Sequence, residues 1–380
     1  MLLELDADQE VLREATARYL TDRVPVDRIR ALRDDPAGFD AGYWQAGAEL
    51  GWTSLLVSEE HGGGSISGSP LVDLTIAAYE FGVRSAPGPL ASANVVAAAL
   101  SAAGGEAHLA VLEGLLAGET IASWAHTEPA PNDRLGTVTL TCRVDGDEIV
   151  LDGVKRPVES AAQAGYLLVT GRSEEGLTQV LVPTDAPGIT ITPLKTVDLT
   201  RRFSTVRFDG VRVPRSAVVG ELGGAAEQVE RQLQIALVIL TAESVGAMQT
   251  AFDLTVQWAF ERYSFGRPLA SYQELKHRFA DMKSWLEAAH AISDKAAAAV
   301  DAQSPDAAEL VSIAKAFIGD YGSELLQDCV QMHGGIGVTF EHDLHLYLRR
   351  VVLDRALFGT PAEHRQRIAG VVEHLKERSA

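Results

Sequence analysis

Cysteine is nearly absent. The 380 residues hold two, Cys142 and Cys329, and two distant thiols build no disulfide framework, CxxC pair or zinc spacing. A reducing compartment fits that usage. Positive charge is also scarce: 33 Lys and Arg face 52 Asp and Glu, a net charge of −19. Nucleic-acid binding needs clustered cations to meet phosphates, so no such partner is expected, and docking on anionic lipid is disfavoured. Long apolar runs are missing as well. The most apolar stretch, 232–242, is far short of the ~18–20 residues that span a bilayer. The opening MLLELDADQE lacks the basic region of a signal peptide. The expectation is a cytoplasmic protein without membrane insertion. No GxGxxG follows a strand, so a Rossmann nucleotide site is not expected.

What is present is globular: 46% hydrophobic and 22% charged residues. At ~100–200 residues per domain the length predicts two or three domains. The texture changes twice. Residues 1–118 read as helices: Val11, Leu12, Ala15, Tyr19 and Leu20 fall near helical spacing, and Ala-rich segments follow at 71–79 and 91–103. Residues 119–222 read as β. Strands are expected at 137–141, 148–151, 166–170, 178–182 and 189–192, with a last pair in 203–213 broken at Asp209-Gly210. Short strands at close spacing predict a small barrel or sandwich. Residues 223–380 read as long helices with short connections, an antiparallel bundle.

Three segments carry potential chemistry. Arg262-Tyr263-Ser264-Phe265-Gly266-Arg267-Pro268, with Gln273 beyond, sits where a long helix ends. Its ordinary reading is a helix stop with a dipole-capping Arg; its functional reading is an anion site. Gln331-Met332-His333-Gly334-Gly335-Ile336-Gly337 is an interhelical turn whose glycines also let backbone N–H groups approach a phosphate. Trp124-Ala125-His126-Thr127-Glu128-Pro129 stands where β texture begins. The cluster Glu341-His342-Asp343-Leu344-His345 shows no third ligand at a defined spacing, so no metal is expected.

Together these segments resemble the acyl-CoA dehydrogenase family, which carries T-E-P, R-x-x-F-G-x-P…Q and Q-x-x-G-G-x-G segments in this order. Leu50-Gly51 with Glu59-Glu60-His61-Gly62-Gly63, Phe208-x-x-Val211-x-Val213-Pro214, and Ala280-Asp281-Met282 extend the resemblance over the whole chain. It implies an N-terminal helical domain, a middle β-barrel and a C-terminal four-helix bundle. It implies FAD, with Arg262 on the pyrophosphate and Ser264, Phe265 and Gln273 beside it. Gln331, Gly334 and Gly335 would reach the FAD of a neighbouring subunit. Trp124, His126 and Thr127 would lie along the isoalloxazine ring, with Gly359 and Thr360 close by. It also implies an acyl-CoA substrate, an electron-transfer flavoprotein as acceptor, and a homo- or hetero-oligomer.

Against that pattern the chain departs at the chemistry. The family's base is the Glu of Tyr-Glu-Gly-Thr; here the segment is Leu357-Phe358-Gly359-Thr360, and Phe358 takes no proton. An alternative family position on the preceding long helix holds Ala236. One carboxylate remains on that helix, Glu243, read either as a structural hydrogen-bonding group or as a displaced base. Pro157 replaces the Trp that covers a flavin face, and Glu159 replaces a Thr. The family's Gly-Ser-Asp is shortened to Pro131-Asn132-Asp133, and Arg350 stands where an Asp usually follows Arg349. Three readings follow: an acyl-CoA dehydrogenase with a base from an unusual place; a non-catalytic partner subunit completing the FAD site of a heteromeric enzyme, as in steroid side-chain degradation; or a flavin oxidase or monooxygenase in which His126 or Glu159 serves.

Overall fold

The computed structural model describes residues 4–132 and 134–379, with side chains of the last helix described to residue 370. Asp133, part of the shortened loop, lies outside the described residues. The N-terminal layer is α1 (Ala7–Arg23), α2 (Val26–Ala31), α3 (Ala41–Glu49), α4 (Pro70–Arg84), α5 (Leu90–Ala103) and α6 (Glu106–Leu116). α1 starts at a reciprocal cap: Asp6 accepts from the Gln9 N–H at 2.8 Å, and the Gln9 side chain returns to the Asp6 N–H. Leu12 and Leu20 face the core, whereas Val11 turns to solvent. Trp44, Trp52 and Phe81 fill the centre of the layer, the last two edge to face at 4.7 Å.

The middle layer is one curled sheet of β1 (Ala122–Ala125), β2 (Thr141–Asp145), β3 (Glu148–Glu159), β4 (Tyr166–Arg172), β5 (Leu177–Pro183), β6 (Ile189–Pro193) and β7 (Phe203–Pro214). The order is β1-β4-β2-β3-β7-β6, with β5 against β4. The strand expected at 137–141 begins only at Thr141. The N–H groups of Thr139 and Leu140 are taken by the Glu128 carboxylate, both at 2.9 Å, instead of a neighbouring strand. The break expected at Asp209-Gly210 is a bulge inside one strand. β7 pairs with β3 from Pro214↔Glu148 to Phe203↔Glu159, with a register shift at Leu151/Gly153. Gly210 takes φ +59° there and gives its N–H to Asp152 at 2.7 Å.

The C-terminal layer is α7 (Ala226–Glu261), α8 (Gln273–Asp301), α9 (Ala307–His333), α10 (Leu344–Ala356) and α11 (Pro361–Ser379). α7 has 36 residues and so runs about 54 Å. By length and composition it passes as a membrane span, longer than the apolar stretch 232–242 indicated. Yet 89% of its most apolar window is buried inside the fold. It is the helix around which the bundle packs.

α7 meets α4 backbone to backbone. A Cβ on Gly82 would lie 1.9 Å from the Glu243 carbonyl oxygen, and one on Gly246 2.1 Å from that of Tyr79. These two glycines seat the N-terminal layer on the bundle and fix where the Glu243 turn of α7 lies. Gly82→Ala must push the helices apart, so it is expected to cost at least about 1–3 kcal/mol, read as a lower urea midpoint. An unchanged midpoint contradicts the close approach.

Candidate active-site cleft

A cleft of about 820 Å³ opens between the sheet and the bundle, walled by Thr127, Arg156, Pro157, Phe358, Thr360 and Glu363. Its bundle wall is the joint between α10 and α11. α10 ends at Ala356, Leu357 is extended, and Phe358 and Gly359 take φ +53° and +97°. α11 then starts with Pro361 in its first turn, where a missing N–H costs nothing. Glu363 caps the start by accepting from the Thr360 N–H at 2.8 Å and hydroxyl at 2.9 Å. The turn aims the Phe358 ring at Trp124, 5.3 Å away and near-parallel, and Trp124 stacks on His126 at 4.7 Å. Trp124 is fixed in turn by Ser92, which accepts its backbone N–H at 2.8 Å. Burial first, and Lys155 second, drive the His126 imidazole down to about 3, so it is uncharged. His126 also lines a second cavity of about 440 Å³ with Val229 and Leu233 of α7, which shares Arg134 and Glu363 with the cleft.

Both carboxylates on the cleft wall are engaged. Glu128 accepts from Thr139, from the Leu140 N–H and from Lys155 Nζ at 2.8 Å. Burial alone raises its carboxyl, but Lys155 and the backbone donors hold it below the usual range. Lys155 is fully buried, is pushed down to about 8, and also donates to the His126 carbonyl at 2.8 Å. Glu363 accepts from Thr360 and from the Leu135 N–H, and it too lies below the usual range against the opposing effect of burial.

Glu243 lines neither cavity. It is 2% exposed, and its Oε2 lies 3.0 Å from the Arg350 guanidinium and 3.4 Å from that of Arg201. Arg350 also binds Asp198 at 2.7 Å, the Thr200 hydroxyl at 2.6 Å and the Ala86 carbonyl at 2.8 Å. Arg201 binds Asp354 at 2.9 Å and Glu159 at 2.6 Å. Two guanidiniums on one carboxylate oxygen, together with the absence of Glu243 from both cavity linings, favour the structural reading of this residue over the displaced base. Glu159, named in the flavin-oxidase reading, is likewise engaged by Arg201. Two departures noted in the sequence, Glu159 and Arg350, and the candidate carboxylate Glu243 are members of one buried network. Burial raises Glu159, while Arg350 and the Thr200 N–H hold Asp198 low against that same effect.

The other candidates gather elsewhere. Arg262 follows the last residue of α7, and Phe265-Gly266 turns a short hairpin, Tyr263–Ser264 against Arg267–Pro268. The Arg262 guanidinium lies 5.8 Å over the Trp258 ring, and Trp258 stacks on His333 at 5.3 Å. That stack joins the Arg262 segment to Gln331, Gly334 and Gly335 at the end of α9. Gln273 begins α8 from the same hairpin, where the Tyr272 hydroxyl donates to the Ser264 carbonyl at 2.7 Å. Among the described residues no carboxylate pairs with Arg262, and the space where Gly334 and Gly335 would carry a Cβ is open. Leu233, which lines the second cavity, is about 44 Å from Arg262 along the axis of α7. One chain therefore splits the predicted residues into two groups that do not meet.

Family models for the N-terminal, middle and C-terminal domains of acyl-CoA dehydrogenase match residues 6–119, 123–211 and 226–372. The chain belongs to the acyl-CoA dehydrogenase family. It is 28% identical over 374 residues to acyl-CoA dehydrogenase IpdE2 of Mycolicibacterium smegmatis, covering 97% of this chain and all of that one. Among solved structures, a Tcur3481-Tcur3483 steroid ACAD variant is 25% identical, with TM-score 0.88 and coverage of 97% and 99%. A Mycobacterium smegmatis glutaryl-CoA dehydrogenase in complex with FADH2 has the same fold, at 22% identity and TM-score 0.86, covering 97% and 95%.

Members of this family of oxidoreductases depend on FAD, and the two groups fit it unequally. The exposed Arg262, with no described carboxylate partner and joined through Trp258 and His333 to the open Gly334-Gly335 backbone, suits phosphate oxygens, which take a guanidinium fork and N–H groups together. On the ring side the cleft keeps Thr127, but Pro157 offers no aromatic cover and Glu159 is held by Arg201.

Arg350→Met leaves Asp198 without its cation in a dry interior and Glu243 with Arg201 alone, so a loss of about 3–5 kcal/mol is expected by urea unfolding. A loss below about 1 kcal/mol contradicts a desolvated network.

Proposed function

We propose that this chain is the FAD-completing subunit of a heteromeric acyl-CoA dehydrogenase, working beside a sister subunit that carries the base. The observation behind this reading is the Phe358 ring, laid on Trp124 where the family has its proton-accepting Glu. The α-proton of a thioester is weakly acidic. Its removal needs a desolvated base with a raised pKa and hydrogen bonds that polarise the carbonyl. Phe358 and Ala236 accept no proton. Glu128 and Glu363 are shifted down, opposite to what a base at neutral pH requires.

The second group of residues supports the positive half of the role. Arg262, Ser264, Phe265, Gln273, Gln331, Gly334 and Gly335 sit on an exposed end of the bundle, too far along α7 to serve this chain's own cleft. They would hold the phosphates and adenosine of an FAD whose ring lies in a neighbour's cleft. FAD, when bound, accepts the substrate's β-hydride; an electron-transfer flavoprotein is the acceptor expected downstream. A second copy of this chain as neighbour would bring that FAD to a cleft with no base, which favours a different subunit. The resemblance to a steroid ACAD named for a pair makes a steroid side-chain CoA thioester the acyl class to try first.

The test is expression with and without a base-bearing acyl-CoA dehydrogenase subunit, assayed with an acyl-CoA panel and an artificial electron acceptor. The chain alone is expected to show no turnover and the pair to be active. Arg262→Gln in the active pair should weaken FAD retention by roughly 10–100-fold, the value of a charged hydrogen bond. Full turnover by the chain alone overturns the proposal.

A further inference from the structure

Lys315, in the middle of α9, is 2% exposed, and it makes an unusual choice of partners. A buried ammonium is costly unless paired; the Asp354 carboxylate favours its charge, but the hydrogen bonds of Lys315 Nζ go to two backbone carbonyls, those of Asp354 and, at 2.8 Å, Leu357. These are carbonyls that the end of α10 leaves without an intrahelical partner. Leu357 is the residue before Phe358. On the far side of the same turn, His364 Nε2 donates to the Phe358 carbonyl at 3.0 Å. The His364 ring also fills the space beside Gly359, where a Cβ would sit 2.9 Å from Nε2.

Phe358 needs such a grip. A bulky side chain at φ +53° is strained and persists only where the surroundings over-determine it. Relaxed to an ordinary backbone conformation, the turn would send the Phe358 ring elsewhere, and the stack on Trp124 would open.

We infer that Lys315 is a positioning residue: by tying together the Asp354 and Leu357 carbonyls it fixes, with His364, the left-handed turn that lays the Phe358 ring into the cleft. An ordinary helix cap would stabilise α10 without controlling that ring. The claim concerns ring placement and holds whichever subunit supplies the base.

The test uses the full chain labelled with 5-fluorotryptophan and read by ¹⁹F NMR. The sequence has five tryptophans, and Trp124→Phe assigns the one beneath Phe358. Lys315→Met is expected to move the Trp124 resonance to the position it takes in Phe358→Ala. Trp44 and Trp52 in the N-terminal core should stay in place. Lys315→Gln, whose shorter amide cannot span both carbonyls, is the second variant and should shift the same resonance part of the way. An unmoved Trp124 resonance in either folded variant overturns the inference. So does a common displacement of all five resonances, which marks general loss of packing.

Discussion

Two guanidinium groups, Arg201 and Arg350, hold four carboxylates where the three layers of the molecule meet, and they anchor the helix α10 whose Leu353 and Ala356 help wall the cleft. Arg350 reaches from α10 to Glu243 on α7, to Asp198 before β7 and to the Ala86 carbonyl after α4. Arg201 adds Glu159 from β3 and Asp354 from α10. Desolvating such charges is expensive, and breaking one pair leaves its partner stranded. The network therefore ties the end of β3, the middle of α7 and the end of α10 into one unit. Those are the elements that would present a flavin contact, an alternative base and the usual base. In this chain the flavin-contact position holds Glu159, bound to Arg201, the alternative base position on α7 holds Ala236, with Glu243 about two turns on and ion-paired, and the usual base position holds the Phe358 ring.

The same physics explains how a chain with net charge −19 suits a polyanionic cofactor. Most of its buried cations are committed to carboxylates or carbonyls. Arg262 is placed at an exposed helix end, over Trp258 and beside open glycine backbone, with no described carboxylate competing for it. Local placement outweighs net charge because screening confines surface electrostatics to about 10 Å.

Much of this was legible from sequence. The order helix, β, helix follows from hydrophobic period, and the Arg262 and Gln331 segments stand out because Gly, Pro and Arg cluster after long helical patterns. Structure brings those two segments together through Trp258 and His333, which no local pattern announces. The strand expected at 137–141 failed because its apolar alternation is sound while the Thr139 and Leu140 N–H groups serve Glu128. The network was illegible as well: Glu243 and Arg350 are 107 positions apart and Glu159 and Arg201 are 42 apart. In the sequence Glu159 and Arg350 stand as separate departures from the family and Glu243 as a lone carboxylate on a helix, with nothing to join them. Lys315 gave no signal at all, since a Lys in a helix reads as a solvated face.

The central claim is that this chain completes an FAD site without owning a working one. Flavin stoichiometry tests it most directly. Purified complex, with subunits quantified by amino-acid analysis and FAD by absorbance after denaturation, should hold one FAD for each pair of unlike subunits. The chain purified alone should hold far less than one per chain. One FAD bound per copy of this chain alone, reduced on addition of an acyl-CoA, would contradict the account.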